Sequence, residues 1–145
     1  MPLNPDRRIT MSDRRKELEQ LTHDFVDAFN RQSLDDVVSY FADDAVYEDS
    51  RGGSHTGSDA IRTAFTPLVG GAMGKIRFDD EDFFAEVETD KVMASWTLNM
   101  EVEGKPVSMR GMDILQFRGD KLILKQAYCK AQTPALQDRD DEQAA

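Results

Sequence analysis

Apolar positions recur along this chain at two spacings, and the change from one to the other divides it. Leu18, Leu21, Phe25, Ala28 and Phe29 recur every three or four residues, which lays them on one face of a helix. Arg15, Lys16, Glu19 and Asp27 fall on the opposite face. The spacing predicts a first helix over 13–31, with Ser12 as its N-cap. Leu34, Val37, Val38 and Phe41 form the stripe of a second helix after Ser33, whose hydroxyl is placed to cap it, with Asp36 completing a capping-box-like pair. Residues 45–49 read as a short strand, and 50–57, rich in Gly and Ser, as a turn-bearing loop. A third helix is expected from Ser58 towards Phe65, with Pro67 barring its smooth continuation.

From Lys75 onward the period falls to two. Val92, Ala94, Trp96, Leu98, Met100 and Val102 alternate with polar residues, as in a strand with two different faces. Strands are expected over 76–88, 91–102, 107–118 and 121–130, joined at Thr89-Asp90, Glu103-Gly104 and Gly119-Asp120. Gly111 is expected to mark a bulge or a close backbone approach. A bulge there would help curve the sheet. Helices followed by an antiparallel meander give the α+β class. A curved sheet with helices packed on one face would leave a cone-shaped cavity between the layers.

Composition narrows the function classes. The chain has 145 residues, enough for one domain, and a net charge of −10. An acidic chain of pI about 4.6 lacks the clustered Lys and Arg that nucleic acid or an anionic membrane surface demands. No apolar stretch approaches the roughly 20 residues of a membrane-spanning helix. The N-terminus lacks the apolar centre of a signal peptide, so a cytoplasmic location is expected. The single Cys129 fits that compartment, since it has no partner for an internal disulfide. Polar residues gather at the ends. Residues 1–11 are therefore expected to form an N-terminal extension, 12–131 the domain, and 132–145 a disordered acidic tail.

Two acids carry the candidate chemistry. Asp113 lies in the run Met109-Arg110-Gly111-Met112-Asp113-Ile114-Leu115-Gln116-Phe117, which otherwise reads as a largely buried strand. A buried carboxyl must be paired, protonated or functional. It either faces a pocket or is a structural acid paired with Arg110, Lys125 or Lys130. Asp49 closes the strand Ala45-Val46-Tyr47-Glu48-Asp49, either as a base at a pocket mouth or as an ordinary strand-ending Asp. Tyr47 shares the Asp49 face of that strand. His55 follows in the loop as an acid/base partner or as a solvated loop residue. Trp96, Met109 and Leu115 are candidate pocket-lining residues. Two widely spaced His and one Cys give no metal-binding spacing, and neither a metal nor a cofactor is expected.

The stretches Phe41-Ala42-Asp43-Asp44-Ala45-Val46-Tyr47-Glu48-Asp49, Gly57-Ser58-Asp59-Ala60-Ile61-Arg62 and Gly111-Met112-Asp113-Ile114-Leu115-Gln116-Phe117-Arg118-Gly119-Asp120-Lys121 resemble the nuclear transport factor 2-like superfamily. That superfamily includes SnoaL-like cyclases and ketosteroid isomerases. The resemblance implies a cone-shaped α+β fold of the cystatin/NTF2-like kind. In it a curved antiparallel or mixed sheet carries three N-terminal helices on its concave face, often as a homodimer. Within it, Asp49 falls where ketosteroid isomerases keep their general base, and Asp113 where they keep a protonated Asp that donates to an oxyanion. Phe25 stands where that family keeps a Tyr donor, and a phenyl ring donates nothing.

Two functions follow as expectations. One is a cofactor-independent isomerase, cyclase or dehydratase acting on a small apolar carbonyl compound, with Asp49 as base and Asp113 as donor. The other is a non-catalytic ligand-binding or dimeric interaction module.

Overall fold

The computed structural model describes residues 10–134 and 136–138. The chain runs α1 (Met11–Asn30), α2 (Leu34–Ser39), β1 (Phe41–Glu48), β2 (Ser54–Thr56), α3 (Ser58–Val69), β3 (Arg77–Glu86), β4 (Lys91–Val102), β5 (Lys105–Arg118) and β6 (Lys121–Lys130). The expected extension up to residue 9, and residues 135 and 139–145 of the expected tail, lie outside the described residues.

Helix α1 buries Leu18, Thr22, Phe25, Ala28 and Phe29 along one stripe, close to the predicted face. It begins two residues before the expected start. Thr10, not Ser12, is the cap: its hydroxyl accepts from the Asp13 N–H at 3.1 Å. Ser33 caps α2 as expected, accepting from the Asp36 N–H at 3.4 Å. Helix α3 continues through Pro67 to Val69 rather than ending near Phe65. Proline removes one helical N–H donor, to the carbonyl four residues back. Thr63, which holds that carbonyl, is exposed, so water can satisfy it, and the added turn buries Val69.

The six strands form one mixed sheet in the order β2-β1-β6-β5-β4-β3. All neighbours are antiparallel except β1 and β6, which run parallel. The β4–β5 hairpin closes in two residues, Glu103 at φ 53° and Gly104 at φ 77°, pairing Val102 with Lys105. Two positive φ angles in a two-residue loop match the twist of the flanking strands. Register shifts between Asp80 and Phe83, Gln116 and Phe117, and Phe41 and Val46 bend the sheet. None falls at Gly111, which is instead the expected close approach. A Cβ there would stand 2.5 Å from both Trp96 Cη2 and the Tyr128 carbonyl oxygen.

The helices cover one face of the open, curled sheet. Asn30 closes the end of α1 onto the edge strand, donating to the Phe78 carbonyl at 3.1 Å and accepting from the Phe78 N–H at 2.7 Å. Aromatic rings interlock within the mainly aliphatic core between the layers. Phe25 meets Phe29, Tyr40 and Phe41 edge-on, and Phe29 meets Phe65 and Phe78 the same way. Edge-to-face contacts of this kind each add about 0.5–1.5 kcal/mol beyond the area they bury.

Candidate functional site

Strand alternation decides what faces the helices. On β5 the inward positions include Asp113, Leu115 and Phe117, and on β4 Ala94, Trp96 and Leu98, all buried. Asp113 stands directly opposite Ala94 on one side and Ala127 on the other. Both neighbours are small, so the carboxyl is reached diagonally by longer side chains from each flank. From β6, Lys125 Nζ donates to Asp113 Oδ1 at 2.6 Å. From β4, Trp96 Nε1 donates to Oδ2 at 3.1 Å. Gly111, opposite Trp96, leaves the space in which the indole lies flat enough to make that bond.

Asp113 is 6% exposed and Lys125 5%. Their separation is that of a charge-assisted hydrogen bond. The sequence reading left Asp113 either as a pocket-facing donor or as a structural acid paired with Arg110, Lys125 or Lys130. In the structure it is paired with Lys125 and both of its oxygens accept. The ammonium carries three donors and spends one on Asp113. It also lies over the rings of Tyr47 and Phe65, with Nζ 5.4 and 6.0 Å from their centroids.

These groups line a cavity of about 100 Å³. Phe25, Phe29, Phe65, Phe78, Trp96 and Met109 supply apolar wall, and Tyr47, Ser50, Asp113, Lys125 and Cys129 supply polar atoms. Of the predicted site residues, Phe25, Tyr47, Trp96, Met109 and Asp113 come together here. Leu115 does not: it packs fully into the core beneath the wall.

Asp49 and His55 pair with each other outside the cavity wall. Asp49 Oδ1 accepts from the N–H groups of Arg51 at 2.9 Å and Gly53 at 2.8 Å. His55 Nε2–H donates to Oδ2 at 2.9 Å. Partial burial pushes the Asp49 carboxyl up, but the His55 bond and the two backbone donors together hold it below the usual carboxylate range. An ionised partner makes Nε2 the donor in this bond. The imidazole stacks on Tyr47 with ring centroids 5.5 Å apart, and Tyr47 stacks in turn on Phe65 at 4.4 Å. Burial, then the charges of Asp113 and Asp49, push the Tyr47 phenol well above its ordinary range, so it stays a donor.

Register connects the two acids. Glu48 pairs with Gln126, so the next residue, Asp49, leaves the strand beside Ala127, which itself pairs with Asp113. The two acids thus flank one small residue, with their backbones two strand spacings or roughly 10 Å apart. Glu48 points the other way, to the Gln126 amide at 2.9 Å. Among the described residues no three metal-binding side chains converge.

The sequence reading named Lys125 only as one of three cations that could pair with Asp113, and did not place it at the pocket wall. Leu122 and Lys125 are both buried, three residues apart, which strict alternation forbids. The register slips there: Gln116 pairs with Leu124 but Phe117 with Leu122, leaving Ile123 as the extra residue. Parity counted along β6 from Leu122 therefore points Lys125 outward. The spare apolar residue before it was the only local signal.

Residues 22–124 match the SnoaL-like domain family. No curated protein matches the chain at the sequence level. Solved structures share the fold at low identity. An epoxide hydrolase/cyclase-like enzyme with a role in pyran ring formation in the polyether salinomycin is 16% identical, with TM-score 0.72 over 79% of this chain and 92% of that one. A candidate polyketide cyclase from Xanthomonas campestris pv. campestris is 18% identical, with TM-score 0.67 over 79% and 91%. An NTF2-like protein of unknown function from Mesorhizobium loti is 20% identical, with TM-score 0.66 over 90% and 100%.

Proposed function

The chain belongs to the SnoaL-like domain family, and from that premise we propose that it is a small-molecule acid–base catalyst. It acts as an isomerase, cyclase or dehydratase on a compact apolar carbonyl compound and needs no cofactor for that chemistry. The observation that carries the reading is the Lys125–Asp113 pair, buried at the wall of an otherwise aromatic cavity. A buried ion pair is often no more stable than apolar residues of the same volume. Its retention beside a cavity, with ammonium donors left over, is accounted for by a ligand oxygen that receives them. Lys125 polarises the carbonyl, Asp113 and Trp96 hold Lys125 in place, and the phenyl rings seat the apolar body. Asp49, with His55, is the base at the rim and takes a proton beside the carbonyl.

The cavity volume selects a small substrate. About 100 Å³ lies well below the roughly 300 Å³ at which pockets begin to take drug-sized ligands, so a steroid is too large for it. A single small ring fits that scale. The two cyclase neighbours support ring formation as one member of this class.

Two measurements test the reading. Fluorine NMR titration compares para-fluorophenol, which carries the oxygen, with fluorobenzene, which lacks it. The phenol should bind about tenfold more tightly or better, the effect of a hydrogen bond to a charged group. Lys125→Met should erase the difference. Proton NMR in deuterium oxide should show faster exchange of the α-hydrogens of cyclopentanone, reduced about 10²–10⁴-fold in Asp49→Asn. Exchange that is unaffected by either substitution would remove the catalytic reading.

A second reading, ligand binding without turnover, draws on one observation. Asp49 is turned to His55 and does not itself line the cavity. It expects phenol binding with no α-hydrogen exchange. We also propose that two copies associate through the outer face of the sheet, where Phe84 is 60% and Tyr128 50% exposed.

A further inference from the structure

Lys125 does more than polarise a carbonyl: we propose that it attacks one, so that this cavity forms an imine with small ketones and aldehydes. The inference rests on the small-carbonyl reading above and deepens it. Three observations carry it. The amine is buried beside aromatic rings and, among the described residues, is held by a single hydrogen-bond acceptor. That acceptor is a carboxylate 2.6 Å away, close enough to take the ammonium proton along the existing bond. The rings of Tyr47 and Phe65 flank the amine, and amine and carboxylate line the same cavity, so a carbonyl admitted to it meets nitrogen and carboxyl together.

The step balances without an outside reagent. Asp113 takes one proton from the Lys125 ammonium, freeing the nitrogen lone pair. That pair forms the C–N bond while the carbonyl π electrons move to oxygen, which recovers the proton from Asp113. The carbinolamine then expels its hydroxyl as water, with a second nitrogen proton passing through Asp113 to the leaving oxygen. Ammonium plus carbonyl becomes protonated imine plus water, and Asp113 ends as the carboxylate facing the iminium. The iminium withdraws electrons from the neighbouring carbon, whose proton the rim pair of Asp49 and His55 can remove. The proposed substrate class is therefore a compact apolar ketone or aldehyde with a hydrogen on the α-carbon.

Isotope exchange and trapping test this with cyclopentanone and the full-length protein. Imine formation and reversal exchange the ketone oxygen with labelled water, whereas polarisation alone leaves the oxygen in place. Adding borohydride should reduce the imine and leave one cyclopentyl group on Lys125, read by peptide mass spectrometry. Burial would make Lys125 among the last lysines to react in simple modification, behind the exposed Lys91, Lys105 and Lys121. A dominant adduct on Lys125 supports the proposal, and Asp113→Asn should lower its yield at least tenfold. Lys125→Met should abolish oxygen exchange, with circular dichroism confirming that the variant is folded. Accelerated α-hydrogen exchange without oxygen exchange or adduct would overturn the imine and leave the acid–base reading standing. Absence of both exchanges, and of ligand binding, would overturn the two together.

Discussion

Asp113 shows how one residue can be read from the sequence in place but not in state. Alternation along β5 puts it inward, and it is inward. Its charge depends on Lys125, a residue on another strand. The dependence is measurable by urea unfolding. Asp113→Ala leaves Lys125 buried with no acceptor and should cost about 3–5 kcal/mol. Replacing both, as Asp113→Leu with Lys125→Met, removes the stranded charge and should recover most of that loss. A double variant as unstable as the single one would show that the pair is not the coupled unit. Asp49 gives a prediction in pH. Its folded pKa is lowered, so its contribution is fully present above the unfolded value, about 3.9, and is lost as pH falls through the folded value. Asp49→Asn should therefore be less stable than the wild type at neutral pH, with the gap closing on acidification below about pH 4. A gap that stays constant would separate the loss from ionisation.

At the scale of elements, the tight hairpin between β4 and β5 is built from the less suitable of two residues. Glu103 holds φ 53° without the freedom of a glycine. A left-handed conformation costs a non-glycine residue roughly 1–2 kcal/mol, and Asn tolerates it best. Glu103→Asn should raise stability by about 1 kcal/mol in thermal unfolding, without touching the cavity. A neutral or lower melting temperature would mean that the turn is not strained. The meander β4–β5–β6 was legible because each of its turns carries its own local signal, in Glu103-Gly104 and Gly119-Asp120. The start of α1 was not. Thr10 and Ser12 are both good caps, and the choice between them depends on the backbone leading into the helix. The end of α3 was missed for a similar reason. A proline in a helix is expensive only if the carbonyl it strands is denied water, and exposure is a tertiary property.

At the scale of the whole molecule, one face of the sheet is covered by helices and the other is not. On the uncovered face Met93 pairs with Phe84 and Ile114, and Met112 pairs with Tyr128, giving cross-strand apolar contacts. If that face joins two copies, Tyr128→Arg should shift sedimentation from dimer to monomer, while phenol binding in the inner cavity persists. A wild-type monomer at micromolar concentration would end the dimer proposal. The sequence by itself determined the order of the helices and of every strand but β2, which fell in the expected loop, together with the buried stripe of α1, the extents of β4 and β6, and the inward direction of Asp113. Those features repeat every two to four residues, so short windows of chain contain them. Only the tertiary structure decided that Lys125 faces inward, that Asp49 turns to His55 rather than to the cavity, and that the cavity shrinks to about 100 Å³. Each of these depends on contacts between separate segments: a register slip at Ile123, a loop folding back on the end of β1, and rings from α1, α3 and β3 filling one space. Local periodicity records which way a side chain points while a strand stays regular, and it carries no record of where a partner strand forces that regularity to slip.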